Sequence, residues 1–161
     1  MKKILIIVFL ILGSFGFAKA QTDYCKDIVP TVDSELGMTS YDSPGKLLTI
    51  GKNKLKSGKF GPISLVFQTD SKTADYDAYG LYVMFSDGTM WKDDGAHIQC
   101  SYQNTEVGYS FGAAEMLHEE QLELFKTKKI VKIRINNIEK PIDDAFATKF
   151  MAWVNCIIDL K

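Results

Sequence analysis

The sequence predicts an α+β fold: an antiparallel β-sheet or two-layer β-sandwich of about seven or eight strands, with a short helix and a long C-terminal helix. Three observations predict it. Apolar residues alternate with polar ones in short runs between residues 46 and 142, the period of strands with one face buried. Turn-forming pairs, Asp87-Gly88 and Asn136-Asn137 among them, separate those runs. In the closing stretch, Asp143 to Lys161, the spacing changes: Phe146, Phe150, Trp153, Val154, Ile157 and Leu160 recur at helical intervals. So apolar a helix face must lie against the sheet.

The first twenty residues read as a leader. Lys2 and Lys3 precede the apolar run Ile4 to Leu12, and Ala18-Lys19-Ala20 has the small-x-small pattern of a signal-peptidase site. The run is shorter than the roughly 20 residues of a membrane span. Cys25 lies too far past the cleavage signal for a lipoprotein. Residues 1–20 are thus expected to be a signal peptide and residues 21–161 a single globular domain, with no membrane span in the mature protein and a periplasmic or secreted destination. Of 19 basic residues, Lys2, Lys3 and Lys19 fall in the leader, leaving 16 against 20 acids. That acidic balance argues against a nucleic-acid partner.

Residues 21–45 hold Pro30, Gly37, Pro44 and Gly45 and read as turn-rich, with one short strand around Met38 to Tyr41. Lys46 to Ile50 reads as a strand. Gly51 to Pro62 reads as a loop carrying Lys52, Lys54, Lys56 and Lys59, a solvated loop or hairpin or else a landing patch for an anionic partner. In Pro62 to Thr69, Ile63, Leu65 and Phe67 point one way. Asp70 to Asp77 is a polar loop. Gly80 to Trp91 is a hairpin about a two-residue Asp87-Gly88 turn, which sets Phe85 opposite Met90 and Met84 opposite Trp91. Both of its faces are apolar, so both are expected to be covered.

His97 to Gln103 and Glu106 to Gly112 read as paired strands, the second extended by Ala114 to Leu117. His118 to Phe125 is a short helix with acids early and lysines following, as the helix dipole favours. Ile130 to Ile135 is a strand with Val131, Ile133 and Ile135 inward and Lys132 and Arg134 outward. Asn136-Asn137 turns it back into an edge strand, because Pro141 lacks the ladder donor. Asp143 caps the last helix.

The three cysteines are Cys25, Cys100 and Cys156. Export places them in an oxidising compartment, where one disulfide and one free thiol is the natural count. Three pairings are open. Cys25 and Cys156 lie near the mature termini, which often end close together, and that pairing is the expected one. Cys100 shares a strand face with Ile98 and Tyr102, where a free thiol behaves as a small hydrophobe.

No catalytic constellation is visible. His97 and His118 are distant in sequence, and His118-Glu119-Glu120 lacks the second histidine of a zinc pair because residue 122 is Leu. There is no Cys-x-x-Cys and no Gly-x-Ser-x-Gly elbow. Asp70, Asp75 and Asp77 suggest a calcium loop, but with Asp75 first, position five is Tyr79 and the closing position is Ser86. The sequence thus implies no cofactor, no metal site and no catalytic residue, and points away from an enzyme. Tyr76, Tyr79, Tyr82 and Trp91 flank the acidic loop and the hairpin and are the candidate ligand-binding residues, since exposed aromatics stack sugars or anchor partners.

The order of features resembles an uncharacterised family of small exported bacterial proteins: Cys25, Ser43-Pro44, Phe85-Ser86-Asp87-Gly88, Leu122 and Phe125, Lys129 to Ile135, and Val154-Asn155-Cys156. The resemblance implies an exported β-rich domain with a cysteine near each mature terminus, favours the Cys25–Cys156 pair, and assigns no catalytic or binding residue. Three readings of function follow. The first is a non-enzymatic binding or interaction module of the cell envelope, engaging an envelope protein or a glycan. The second is a carbohydrate-binding accessory protein. The third is a hydrolase whose site assembles only in space.

Overall fold

The computed structural model describes residues 23–161, so the leader expected over residues 1–20 lies outside the described residues. Two antiparallel sheets face each other across one core. The first has six strands: β1 (Val29–Asp33), β2 (Met38–Asp42), β3 (Leu48–Leu55), β4 (Phe60–Ser71), β8 (Gly108–Leu117) and β7 (Gln99–Asn104), in that spatial order. The second has four: β10 (Ile138–Pro141), β9 (Ile130–Ile135), β5 (Tyr79–Phe85) and β6 (Met90–His97). Helix α1 (Glu119–Thr127) links β8 to β9, and α2 (Asp144–Asp159) ends the chain. This is the expected α+β sandwich, with ten strands among the described residues.

Leu48, Ile50, Leu65, Phe67 and Phe111 of the first sheet meet Leu81, Val83, Phe85, Ile133 and Ile135 of the second, and all are buried. Burying a side chain of this size contributes roughly 1.5–3 kcal/mol. Trp91 lies parallel to Phe67 with ring centroids 5.9 Å apart, and Phe125 of α1 meets Trp91 edge-on at 5.8 Å.

Helix α2 approaches β3 of the wider sheet, β9 of the narrower one, α1, and a 3₁₀ turn at Tyr24–Asp27. It covers core that the narrower sheet leaves open. Ala147, Phe150, Trp153, Val154 and Ile157 form its buried face, while Leu160 follows the last turn and is half-buried. Asp143 caps it as expected, its Oδ1 accepting from Phe146 N–H at 2.8 Å. The cap satisfies a backbone donor that the helix itself cannot. An Asp143→Ala variant is therefore expected to lose about 1 kcal/mol. Thermal unfolding followed by circular dichroism should show a melting point lower by about 3 °C; an unchanged value would show that the cap adds nothing.

The disulfide joins Cys25 of the 3₁₀ turn to Cys156 of α2, with Cα atoms 5.5 Å apart, and Cys100 is free and half-buried. Trp153 Nε1 donates to Asp27 Oδ2 at 3.1 Å beside it. The start and end of the described chain are thus fastened twice.

Several expectations need correction. The turn-rich region before residue 45 holds a whole hairpin, β1–β2, rather than one strand. Pro30 and the uniformly exposed side chains of Val29–Pro30–Thr31–Val32 hid β1, which needs no alternation because it buries nothing. Of the two forms expected for the lysine stretch, it is the hairpin and not the loop: Gly51 to Leu55 completes β3, β4 starts at Phe60, and only residues 56–59 turn. Lys52 and Lys54 both reach over the Phe60 ring, at 4.7 and 5.2 Å, so their stems cover an apolar surface instead of projecting freely. Asp93-Asp94-Gly95 lies within β6, at a pairing irregularity. In β9 the inward residues are Ile130, Ile133 and Ile135. Val131 is exposed, because a bulge pairs Phe85 with Ile130 and Met84 with Lys132.

The largest correction concerns the central hairpin. Phe85 N–H donates to Thr89 O at 2.9 Å, and Gly88 has φ of 83°. Ser86, Asp87 and Gly88 therefore form a three-residue loop instead of a two-residue turn. The register becomes Met84 opposite Met90 and Val83 opposite Trp91. A one-residue slip moves side chains to the other face. Trp91 accordingly goes into the core with Val83 and Phe85, and Met84 and Met90 go outward with Tyr82.

Candidate functional site

The outward residues of the narrower sheet form two cross-strand rows. One runs Glu139, Arg134, Tyr82, Lys92 across β10, β9, β5 and β6; the next runs Pro141, Lys132, Met84, Met90. The expected second covering layer is absent from this face among the described residues. Met90 is 51% exposed, and Tyr82, Met84, Lys132 and Arg134 are half-buried. Together they line a shallow groove of about 370 Å³.

The polar groups of the groove are ordered. Tyr82 OH donates to Asp94 Oδ1 at 2.6 Å, and Lys92 Nζ donates to Asp94 Oδ2 at 2.6 Å. The Lys92 bond, seconded by Tyr82, holds the Asp94 carboxyl below its ordinary range, and Asp94 in turn raises Lys92. Lys132 pairs with Glu139 at 2.9 Å. The Arg134 guanidinium stacks on Tyr82, its Cζ 3.6 Å from the ring centroid. A cation seated over a tyrosine that is itself pinned by a carboxylate has little freedom to move away.

The four predicted ligand-binding aromatics do not converge. Trp91 is 6% exposed and belongs to the core; its Nε1 has no hydrogen-bond partner among the described residues. Tyr82 is in the groove. Tyr76 and Tyr79 lie elsewhere and are open to solvent: Tyr76 meets Tyr109 edge-on at 6.3 Å, and Tyr79 meets His97 at 5.3 Å. Tyr109 also packs on Tyr102, its cross-strand partner, at 5.5 Å. A second aromatic cluster, Tyr76–Tyr109–Tyr102, therefore sits where β7 and β8 meet the β4–β5 loop.

Sequence reasoning missed Met84, Met90, Lys92, Asp94, Lys132, Arg134 and Glu139 as site residues. The outward phase of Lys132 and Arg134 was readable from alternation, but that Met84 and Met90 share their face follows only from the three-residue loop.

Other groups are committed to structure. Asp75, of the failed calcium loop, accepts from Asp77 N–H and from Asn136 Nδ2 at 2.7 Å, which holds the β9–β10 turn where Asn136 has φ of 53°. No cluster of three or more metal-ligating side chains occurs among the described residues. His97 and His118 are both exposed, and neither ring is hydrogen-bonded to a carboxylate among those residues. His118 precedes α1, and its N–H donates to Gln121 Oε1 at 2.9 Å. A wider cleft of about 740 Å³ lies beside the disulfide, lined by Tyr24, Ile28, Tyr41, Cys156 and Leu160. One wall is Asp23, where the described residues begin, whereas the residues lining the groove on the narrower sheet lie far from that boundary in sequence. No described helix is long and apolar enough to cross a membrane.

No family model matches this chain, and no similar chain was found among the curated proteins or the solved structures.

Proposed function

We propose that this chain is an exported, non-enzymatic binding module of the cell envelope, periplasmic or secreted, folded as a single domain over residues 21–161. It belongs with the small exported proteins whose feature order it resembles, and it engages a partner through the outer face of β10–β9–β5–β6. One observation carries this reading: Tyr82, Met84, Met90 and Arg134 occupy the centre of a sheet face that no element covers among the described residues. Tyr, Met and Arg are the residues enriched in the cores of protein interfaces. Around them, Lys92–Asp94 and Lys132–Glu139 supply a charged rim. The expected leader and the Cys25–Cys156 bond support an oxidising destination.

The test is a photo-crosslinking amino acid at position 90, with position 59 as control, in cells expressing the full chain. A discrete adduct from position 90 and none from position 59 is expected. No adduct at position 90, or equal adducts at both, would reject this face as the docking surface.

The carbohydrate-binding alternative has its own support in the Tyr76–Tyr109–Tyr102 cluster, in which Tyr76 and Tyr102 are exposed. If sugars bind there, a Tyr76→Ala and Tyr102→Ala double variant loses retention on a glycan array that the parent shows. Equal retention would remove that reading.

A further inference from the structure

Arg134 differs from every other cation of the groove. Lys92 and Lys132 each have a carboxylate, whereas Arg134 forms no ion pair among the described residues. Glu139 is its direct cross-strand partner, yet the Glu139 carboxylate turns to Lys132. Arg134 Nε is buried with no hydrogen-bond acceptor among the described residues. A buried donor left unpaired is costly. Stacking on Tyr82 nevertheless fixes the planar fork in place, and such a fork matches a carboxylate bidentately. Next to it, Met84 and Met90 offer an adaptable apolar surface.

Resting on the docking surface proposed above, we infer its ligand class: a segment of a partner protein that carries an Asp or Glu side chain beside an apolar one. The carboxylate takes the Arg134 fork and gives the buried Nε its acceptor. The apolar neighbour seats on Met84 and Met90. Charge decides against a phosphate. Lys92, Lys132 and Arg134 face Asp94 and Glu139, so the groove has one positive charge to spare. A carboxylate neutralises that charge one for one, whereas a phosphate dianion would leave an excess beside two carboxylates. A second copy of the chain fits no better, because the same face brings another Arg134 and no spare acid.

The test uses three synthetic pentapeptides, acetyl-Leu-Glu-Phe-Glu-Leu-amide and its Gln and Lys counterparts, titrated into the purified oxidised protein. The readouts are the Arg134 Nε–H and the Met84 and Met90 methyl resonances. The Glu peptide is expected to shift all three, with binding weakened about tenfold or more, roughly 1.4 kcal/mol, when Gln replaces Glu. Arg134→Gln should abolish that preference, and Arg134→Lys should restore only part of it. Equal binding of the Glu and Gln peptides, or a preference that survives in Arg134→Gln, overturns the ligand class. So does tighter binding of anionic phospholipid vesicles or of dodecanoate than of the Glu peptide, or concentration-dependent self-association through this face. These failures leave the position-90 crosslink untouched; loss of that crosslink would instead remove the docking surface itself.

Discussion

Cys156→Ser is expected to lower the melting temperature in oxidising buffer by roughly 6–15 °C. The bond closes a loop with a sequence separation of 131 residues. Closing so long a loop restricts the unfolded chain and typically contributes about 2–5 kcal/mol. For a domain of this size each kcal/mol moves the midpoint by about 3 °C. The fold should survive at room temperature, because the buried Phe150, Trp153, Val154 and Ile157 give α2 an apolar face to pack without the bond. Reducing the parent protein should reproduce the shift, and reductant should not move the variant further. An unchanged melting point would mean that packing and the Trp153–Asp27 hydrogen bond hold α2 alone.

Phe125→Ala should be as damaging, through a different mechanism. Phe125 is the only buried residue of α1, and its ring meets Phe85 at 5.4 Å and Trp91 at 5.8 Å. Truncating it opens a cavity against the Trp91–Phe67 stack and removes the anchor of the helix. Such changes cost about 3–5 kcal/mol. The urea midpoint should fall by about 2 M, and tryptophan emission should report a loosened Trp91. Met116→Ala, at a residue 67% exposed, should shift stability by less than about 0.5 kcal/mol and serves as the control. Equal midpoints for the two variants would show that α1 is not held by this contact.

Where a side chain's phase decided burial, the fold was legible from the sequence. Ile63, Leu65 and Phe67 of β4 alternate inward as their spacing requires, and the closing helix buries the predicted face and begins at the predicted cap. The Cys25–Cys156 pair was also readable from position alone. What could not be read was decided by non-local pairing. β1 buries no side chain and so leaves no periodic signal. Asp87-Gly88 is compatible with two loop lengths, and the choice between them transfers Trp91 from a supposed ligand platform to the core. A pattern apolar on both faces predicts two covered faces, but among the described residues the second face of the hairpin is open. The candidate site was only partly legible: of the four aromatics singled out, Tyr82 alone lies in the groove, and that Arg134 lacks an ion pair among the described residues follows from the Glu139 carboxylate bonding Lys132, which alternation does not reveal.

The disulfide also turns most of the chain into a covalent ring, entered at Cys25 and closed at Cys156. The exposed segment Lys72-Thr73-Ala74 lies between the two cysteines in sequence. A protease cut there leaves two pieces that still run as one species without reductant, β1 to β4 on one and the remaining elements on the other. Their separation would demand both reduction and the breaking of the β3–β4 sheet from β8. As long as the bond stays oxidised, such a molecule remains one covalent species after a nick that would sever an unbridged chain.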